Sequence, residues 1–416
     1  MSPLRRIRSL NTGSAENAMK QLAIAVLTRH DLSLLGPGDR THTFERIAAV
    51  AKEAPVILLM PYGHAPRKLE PLMTVVQVCP PGLRFLLALV PTLLAHRRDY
   101  KCVYSRDPLL IAAAVPLKIL GKVLVLELNG IPSLQARVRR GPIRTRVPAL
   151  TPIMCSVLRL IEILAIRSAD LILPITEKMR RLVLSDYRAD VRKVTVIANG
   201  VDTTLFRPLE TQRVKIRRRL GIGEETVVLF FGMFSASWRH TGQLLEVAEH
   251  IQFRRKDIIF LIIGAGPLLR KRKEKATELG AGNRMIFLGA VDYRLVPLYI
   301  NAADVYVYDA TPEAYQLIQR EGPCPMKILE SMSCGKPVIV PKEAQLENIL
   351  QNSGGGFAAS SVAEIEALVE KFADAKELAK SMGINARRYI ELNHDLAPLA
   401  RRTIELIDEV ISSGRG

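Results

Sequence analysis

EGPCPMKILESMSCGKPVIVP, residues Glu321 to Pro341, sets a loop, a helix, a tight turn and a buried strand in immediate succession. Pro323 and Pro325 keep the opening residues out of a helix. Met326 to Cys334 has a helical pattern, with Met326, Ile328, Leu329 and Met332 apolar. Gly335 is expected to stop that helix in a left-handed conformation, and Pro337 follows where a helix cannot continue. Val338-Ile339-Val340 is a short apolar run suited to a parallel strand covered on both faces. Glu330 therefore sits about one turn into a helix whose N-terminus faces a Pro/Gly loop. Backbone N–H groups there can hold phosphate, and the carboxylate can accept from ribose hydroxyls.

Apolar runs of the same kind recur along the chain and alternate with amphipathic stretches. In the first half they are Leu22–Leu27, Val56–Met60, Val75–Cys79, Cys102–Ser105, Val123–Leu128, Leu171–Ile175 and Val194–Ala198. In the second half they are Val227–Phe231, Ile258–Ile263, Met285–Leu288, Val305–Tyr308 and Val338–Val340. Such alternation predicts an α/β protein with parallel sheets covered on both faces. Two series meeting near Asn199–Glu210 predict two Rossmann-like domains, with ligands at the carboxyl ends of the strands. The final stretch, Val362 to Ile411, is expected to be helical throughout.

The 416 residues suit two domains, and 48% hydrophobic residues suffice for two cores. Phe85–Ala95 is too short to span a bilayer, and Val147–Ile166 is interrupted by Pro148, Pro152, Arg159 and Glu162. Residues 1–20 have arginines but no apolar segment of the signal-peptide kind, so none is expected. Met19, just before the first strand, is an alternative start to Met1, leaving residues 1–18 as an expected disordered tail. Cysteines 79, 102, 155, 324 and 334 form no metal-ligand pattern, which argues for a reducing cytosol and against a structural zinc site. Residues 1–200 hold 30 Lys+Arg against 14 Asp+Glu, most of the net +18. That asymmetry is a footprint for an anionic partner: a membrane surface, a lipid phosphate or nucleic acid.

Six segments carry a resemblance. Glu321–Pro341 resembles the nucleotide-sugar signature of retaining GT-B glycosyltransferases of family four (group 1), in a variant with PMK-x-x-E in place of the strict E-x7-E. GPGDRTHTFE, Gly36 to Glu45, follows the first strand; the resemblance places its Gly38, Arg40 and His42 toward acceptor or donor phosphates. VYSRDP (Val103–Pro108) and LELNG (Leu126–Gly130) end strands, so Arg106 and Asn129 are expected at the cleft, while Glu127 is open to either core or cleft. Many relatives have histidine where Asn129 stands; an amide still donates and accepts hydrogen bonds to sugar hydroxyls. VIANGVDTTLFRP, Val196 to Pro208, matches the string at the family's domain junction. FFGMFSASWRHTG, Phe230 to Gly242, lacks the usual Arg/Lys pair, so Gly232, Arg239 and His240 are its candidates for donor phosphate. Trp238 either walls the site or packs in the core. GAGP (Gly264–Pro267) and NRMIFLG (Asn283–Gly289) are expected to bring Gly264, Gly266 and Phe287 to the donor, largely through backbone.

The first glutamate of the family pair has no exact counterpart: Gly322 stands eight positions before Glu330, and Glu321 is one residue earlier. Lys327, Arg239 and the N–H groups near Gly322, Pro325 and Met326 are expected to stabilise the departing diphosphate instead. The chain has no Asp-x-Asp, so no metal and no cofactor are expected, with the nucleotide-sugar as a substrate. Expected domains are 19–202, acceptor-side; 203–394, donor-binding; and 395–416, a helix crossing back. The implied activity is hexosyl transfer with retention to a glycan or lipid-linked acceptor, in the cytoplasm with peripheral association at the inner face of the cell membrane. Arg84–Arg98 and Arg137–Arg146 are the candidate membrane segments. The alternatives are a GT-B-fold nucleotide-sugar 2-epimerase, a basic nucleic-acid-binding protein and an inactive nucleotide-binding homologue.

Overall fold

The computed structural model describes residues 23–29, 39–61, 72–78, 82–138, 151–232, 234, 242–278, 280, 284–310, 312–322 and 326–414; the side chains of 39–41, 151, 242, 312 and 313 are outside the description. Two compact units divide the chain: residues 1–198 with 396–416, and residues 199–395.

The first unit contains strands β1 (Ile24–Leu27), β2 (Val56–Met60), β3 (Thr74–Gln77), β4 (Cys102–Ser105), β5 (Val123–Leu128) and β6 (Leu171–Pro174). They form one parallel sheet in the order β3-β2-β1-β4-β5-β6. Its helices are α1 (Asp39–Glu53), α2 (Leu83–Ala95), α3 (Pro108–Ala114), α4 (Pro132–Val138), α5 (Thr151–Ser168) and α6 (Glu177–Asp186). Strands such as IAVL of β1 and VLVLEL of β5 are buried along their whole length, as a parallel sheet with two covered faces requires.

The second unit repeats the plan with β7 (Thr226–Phe231), β8 (Ile258–Ile263), β9 (Met285–Gly289), β10 (Val305–Val307), β11 (Val338–Pro341) and β12 (Gly356–Ala359), in the parallel order β12-β11-β10-β7-β8-β9. Its helices are α7 (Glu210–Arg219), α8 (Gly242–Arg254), α9 (Leu269–Glu278), α10 (Val296–Ala302), α11 (Pro312–Glu321), α12 (Met326–Ser333), α13 (Glu347–Ser353), α14 (Val362–Asp374) and α15 (Lys376–Asn393). Gly335, at φ 71°, ends α12: its N–H donates to Met332 O at 2.9 Å and that of Lys336 to Ser331 O at 3.0 Å.

The last helix, α16 (Leu396–Ser412), packs on α1 and on β5 and β6 of the first unit. One face of that sheet is covered by α2, α3, α5 and α6, through residues such as Leu89, Ile111, Ile166 and Val183. The other is covered by Phe44, Ile47 and Val50 of α1 and by Ala400, Ile404 and Ile407 of α16. A buried polar link ties the second layer together. Arg46 of α1 donates from Nε to Glu127 Oε2 at 3.0 Å and from a terminal nitrogen to Thr403 Oγ1 of α16 at 2.7 Å. The Tyr104 hydroxyl donates to the same carboxylate, and Arg106 Nε lies 2.9 Å from Glu127 Oε1.

Two expectations need correction, and one strand has no counterpart among the expected runs. Val194–Ala198 is not a strand: it makes a single bridge, Val194 to Ile172, and runs beside β6 through Thr195 N–H to Ile172 O (3.0 Å) and Ile197 N–H to Pro174 O (3.1 Å). Polar Thr195 interrupts its apolar run, and the segment leads straight out of the unit. GFAA of β12 is a strand with no β-branched residue, and neighbouring β11 supplies the pairing that its composition does not advertise. Val362–Ile411 is not one helical run: breaks at Ala375 and at His394–Asp395 separate α14, α15 and α16.

Replacing Arg46 by Met leaves Glu127 buried with one guanidinium fewer. The expected loss is about 3–5 kcal/mol of stability, read as a lower urea midpoint for the unfolding of the first unit.

Candidate functional site

The second sheet has its topological switch point between β7 and β10, where strand order reverses, and its carboxyl edge there is rich in polar groups. β7 ends at Phe231, and Lys327, in the first turn of α12, holds its ammonium 5.4 Å from the centre of that ring. One turn further, Glu330 is buried and accepts a hydrogen bond from the Tyr293 hydroxyl at 3.0 Å. Tyr293 follows β9 and stacks at 5.4 Å on buried Phe206. Lys336, the other lysine of the Glu321–Pro341 stretch, lies at the opposite, amino end of the sheet, where it donates to Asn301 O at 3.2 Å.

Gly264 and Gly266 have φ of 144° and 148°, where side chains are rarely accommodated. A Cβ on Gly264 would fall 1.7 Å from Gly232 O, and one on Gly266 would fall 2.2 Å from Phe234 O. These glycines thus admit the chain's own backbone, stitching the turn after β8 to the segment after β7 through Phe234 N–H to Ala265 O at 2.9 Å. Gly232 donates to Ile263 O at 2.9 Å. Phe287, on β9, is half-buried beneath the Lys273 ammonium at 5.8 Å.

Just past β10, Asp309 is buried and takes N–H bonds from Gln243 and Leu244 in the first turn of α8 and from Ala310. Burial pushes its carboxyl up to about 7, although these N–H groups and the charge of Arg272 oppose the shift. Its Oδ2 and the buried Gln243 Oε1 have no hydrogen-bond partner among the described residues. Burial first, and then the Asp309 charge, push the Tyr315 phenol up.

In the first unit the switch point lies between β1 and β4. Ser105 Oγ donates to Leu27 O at 3.0 Å and accepts from Asp107 N–H at 3.1 Å, which clasps the two strand ends. Asp107 caps α3 by accepting from Leu109 N–H at 3.0 Å and pairs with Arg29 at 2.5 Å. Arg106 joins Glu127 and also donates to Thr43 of α1 at 3.3 Å. Burial alone would raise the Glu127 carboxyl, but Arg46, Arg106 and the donated hydrogen bonds hold it below the usual range. Of its two open directions, Glu127 takes the core, because that is where both guanidinium groups meet it. Asn129, just past β5, has a buried Oδ1 with no partner among the described residues. The helix that follows it is anchored through Ser133, whose N–H and hydroxyl donate to buried Glu162 at 2.6 and 2.7 Å.

Residues 15–205 match the family model Glycosyltransferase Family 4, and residues 212–389 match Glycosyl transferases group 1. Both halves of the chain carry glycosyltransferase domains. The fold is GT-B, with one Rossmann-like parallel sheet in each half. The chain is 28% identical over 200 residues to D-inositol 3-phosphate glycosyltransferase of Geodermatophilus obscurus, covering 46% of this chain and 42% of that one. It is 31% identical over 178 residues to alpha-monoglucosyldiacylglycerol synthase of Streptococcus pneumoniae, covering 41% and 37%. The matches thus span about two-fifths of the length of these curated relatives. Anabaena HepE, solved in complex with UDP and glucose, superposes with TM-score 0.70 at 19% identity, over 94% of this chain and 99% of that one.

In the group 1 glycosyltransferase half, Glu330, Lys327, Met326, Gly232, Gly264, Gly266 and Phe287 all belong to the carboxyl side of one sheet. Glu321 is the buried last residue of α11, and Gly322, at φ 84°, closes that helix by donating to Ile318 O at 2.9 Å. His42 is half-buried on α1. Arg239, His240, Pro325, Gly38 and Trp238 lie outside the described residues, as does the side chain of Arg40. Tyr293, Asp309 and Tyr315 have no counterpart in the sequence reading. Only the position of Asp309 immediately after the apolar run Val305–Tyr308 could have flagged it.

Between pH 4 and about pH 7 the folded chain keeps a proton on Asp309 that the unfolded chain has released. Its contribution favours the fold fully below the unfolded pKa and is lost as pH rises through about 7. Asp309→Asn is expected to remove a stability slope worth a few kcal/mol at most, on the order of 1.4 kcal/mol per pKa unit. Urea denaturation of both proteins across this pH range measures it.

Proposed function

We propose that the chain transfers a hexosyl group from a nucleotide-sugar to an acceptor hydroxyl with retention at the anomeric carbon and without a metal. The observation that carries this reading is buried Glu330, held by Tyr293 one turn into a helix whose first turn carries Lys327 at the switch point of the sheet. Its carboxylate would accept hydrogen bonds from donor hydroxyls. As the bond from the anomeric carbon to the β-phosphate oxygen breaks, negative charge develops on the diphosphate. Lys327 and the N–H groups opening α12 would meet it, with Arg239 and His240 as further candidates. The acceptor oxygen would bond to the anomeric carbon on the same face, its proton passing to the departing phosphate oxygen. In the first unit, Asn129 Oδ1, which has no partner among the described residues, would accept from a sugar hydroxyl.

The acceptor belongs to the same proposal: a lipid-linked or anionic glycan, used by a cytoplasmic enzyme attached peripherally to a membrane. The basic first half of the chain supports it. The similarity to a relative named for making a glucosyldiacylglycerol supports it too. No helix among the described residues is long and apolar enough to cross a membrane.

A thermal-shift screen of UDP-, GDP- and ADP-sugars is expected to single out one donor, since a ligand at a hundredfold its Kd stabilises the fold by about 2.7 kcal/mol. With that donor, Glu330→Ala is expected to lose turnover by at least about a hundredfold, and Tyr293→Phe to lose less. Sugar released equally well without any acceptor would replace transfer by the 2-epimerase reading. No shift with any donor would sink the proposal.

A further inference from the structure

Helices α2 and α5 lie on the same face of the first sheet, one on either side of α3, with Phe85, Leu89 and Leu93 of α2 and Ala165 and Ile166 of α5 in its core. Their opposite faces point away from the sheet, and both are apolar. On α5, Ile153, Val157, Leu160 and Leu164 form a stripe at helical spacing, and Ile153 and Leu160 are 61% and 66% exposed. On α2, Leu83 and Leu87 are 71% and 69% exposed. Among the described residues of the first unit these side chains are left exposed. An exposed apolar stripe of this length on two neighbouring helices marks an interaction surface.

Charge selects the occupant. The only acid on α2 or α5 is Glu162, and it is buried and committed to Ser133 and Tyr187. Residues 71–98 and 128–161 contain no Asp or Glu at all. Arg84 is exposed on α2, Arg97 and Arg98 are exposed just beyond it, and Arg167 is exposed in the last turn of α5. A second copy of the same face would bring arginines against arginines, and the exposed acid beside Arg98, Asp99, is already paired with His96 at 2.9 Å. A bilayer with anionic headgroups offers phosphate to the guanidinium groups and an acyl boundary to the leucines.

We infer that the outer faces of α2 and α5 dock the protein on an anionic lipid surface. The inference deepens the proposed function by naming the surface that would bring a lipid-linked acceptor to the enzyme. It would be a contact of the first unit alone, separate from the residues that would hold the donor.

The full chain is sedimented with phosphatidylcholine vesicles, with and without phosphatidylglycerol. Binding only to the anionic vesicles, and release by salt, are expected. Leu87→Glu combined with Leu160→Glu is expected to abolish sedimentation, and replacing Arg84, Arg97 and Arg98 by Ser to weaken it roughly a hundredfold. All these positions are exposed, so melting temperature and the thermal shift by nucleotide-sugars are expected to stay as in the parent chain. A donor response without vesicle binding overturns the surface and leaves the transferase reading intact. Vesicle binding without a donor response does the reverse. Sedimentation unchanged in the variants also overturns the inference, as does a dimer that Leu160→Glu dissociates without any lipid binding.

Discussion

A parallel sheet whose strands are apolar on both faces must be covered twice, and this constraint organises the first unit. Four helices serve one face. The other has α1 alone from the N-terminal segment, which leaves β4 to β6 in need of cover. The chain supplies it from its far end, so that α16 returns after the whole second unit has been built. Apolar burial provides the driving force, but it is indifferent to register. Arg46 adds direction: it binds Glu127 on the sheet and Thr403 on α16 at once. An ion pair buried this deeply costs desolvation, and its loss would strand a charge.

The same constraint sends polar chemistry to the strand ends. Interiors of β7 and β8 are wholly apolar, so ligand-binding groups stand beyond their carboxyl termini. Glycines let the turns after β7 and β8 close on one another, and aromatic rings at Phe231, Tyr293 and Phe206 hold the neighbouring side chains. What remains among the described residues is a set of groups at the edge with unused hydrogen-bonding capacity, Asp309 Oδ2 and Gln243 Oε1 among them. Such groups are costly in a finished core and common where a site is prepared for something else.

Much of the fold was legible because its signals are local. Gly335 behind Met326–Cys334 announces a helix end, and β8 as IIFLII announces a buried strand whatever lies around it. Glu330 was legible for the same reason: it is a carboxylate one turn inside a helix that follows a Pro/Gly loop. The failures have a common cause in partners distant along the chain. GFAA becomes a strand because β11 pairs with it. Val194–Ala198 has the composition of a strand but only one bridging partner. Glu127 ends a strand as a cleft residue would, yet Arg46, far away in sequence, draws it inward. The glycines at 264 and 266 read as room for a ligand, whereas the structure spends that room on Gly232 and Phe234.

By itself, then, the sequence determined the alternation of strands and helices, the two parallel sheets and the placing of Glu330 and Lys327 on one short helix. Each follows from hydrophobic period and turn chemistry within a few residues. Only the tertiary structure decided which acidic and aromatic side chains are buried against which bases, that Tyr293 holds Glu330, and that Asp309 accepts from the first turn of α8. Those outcomes depend on contacts between residues tens to hundreds of positions apart, and pairing at such range is set by how helices cover sheets. No periodicity along the chain encodes it.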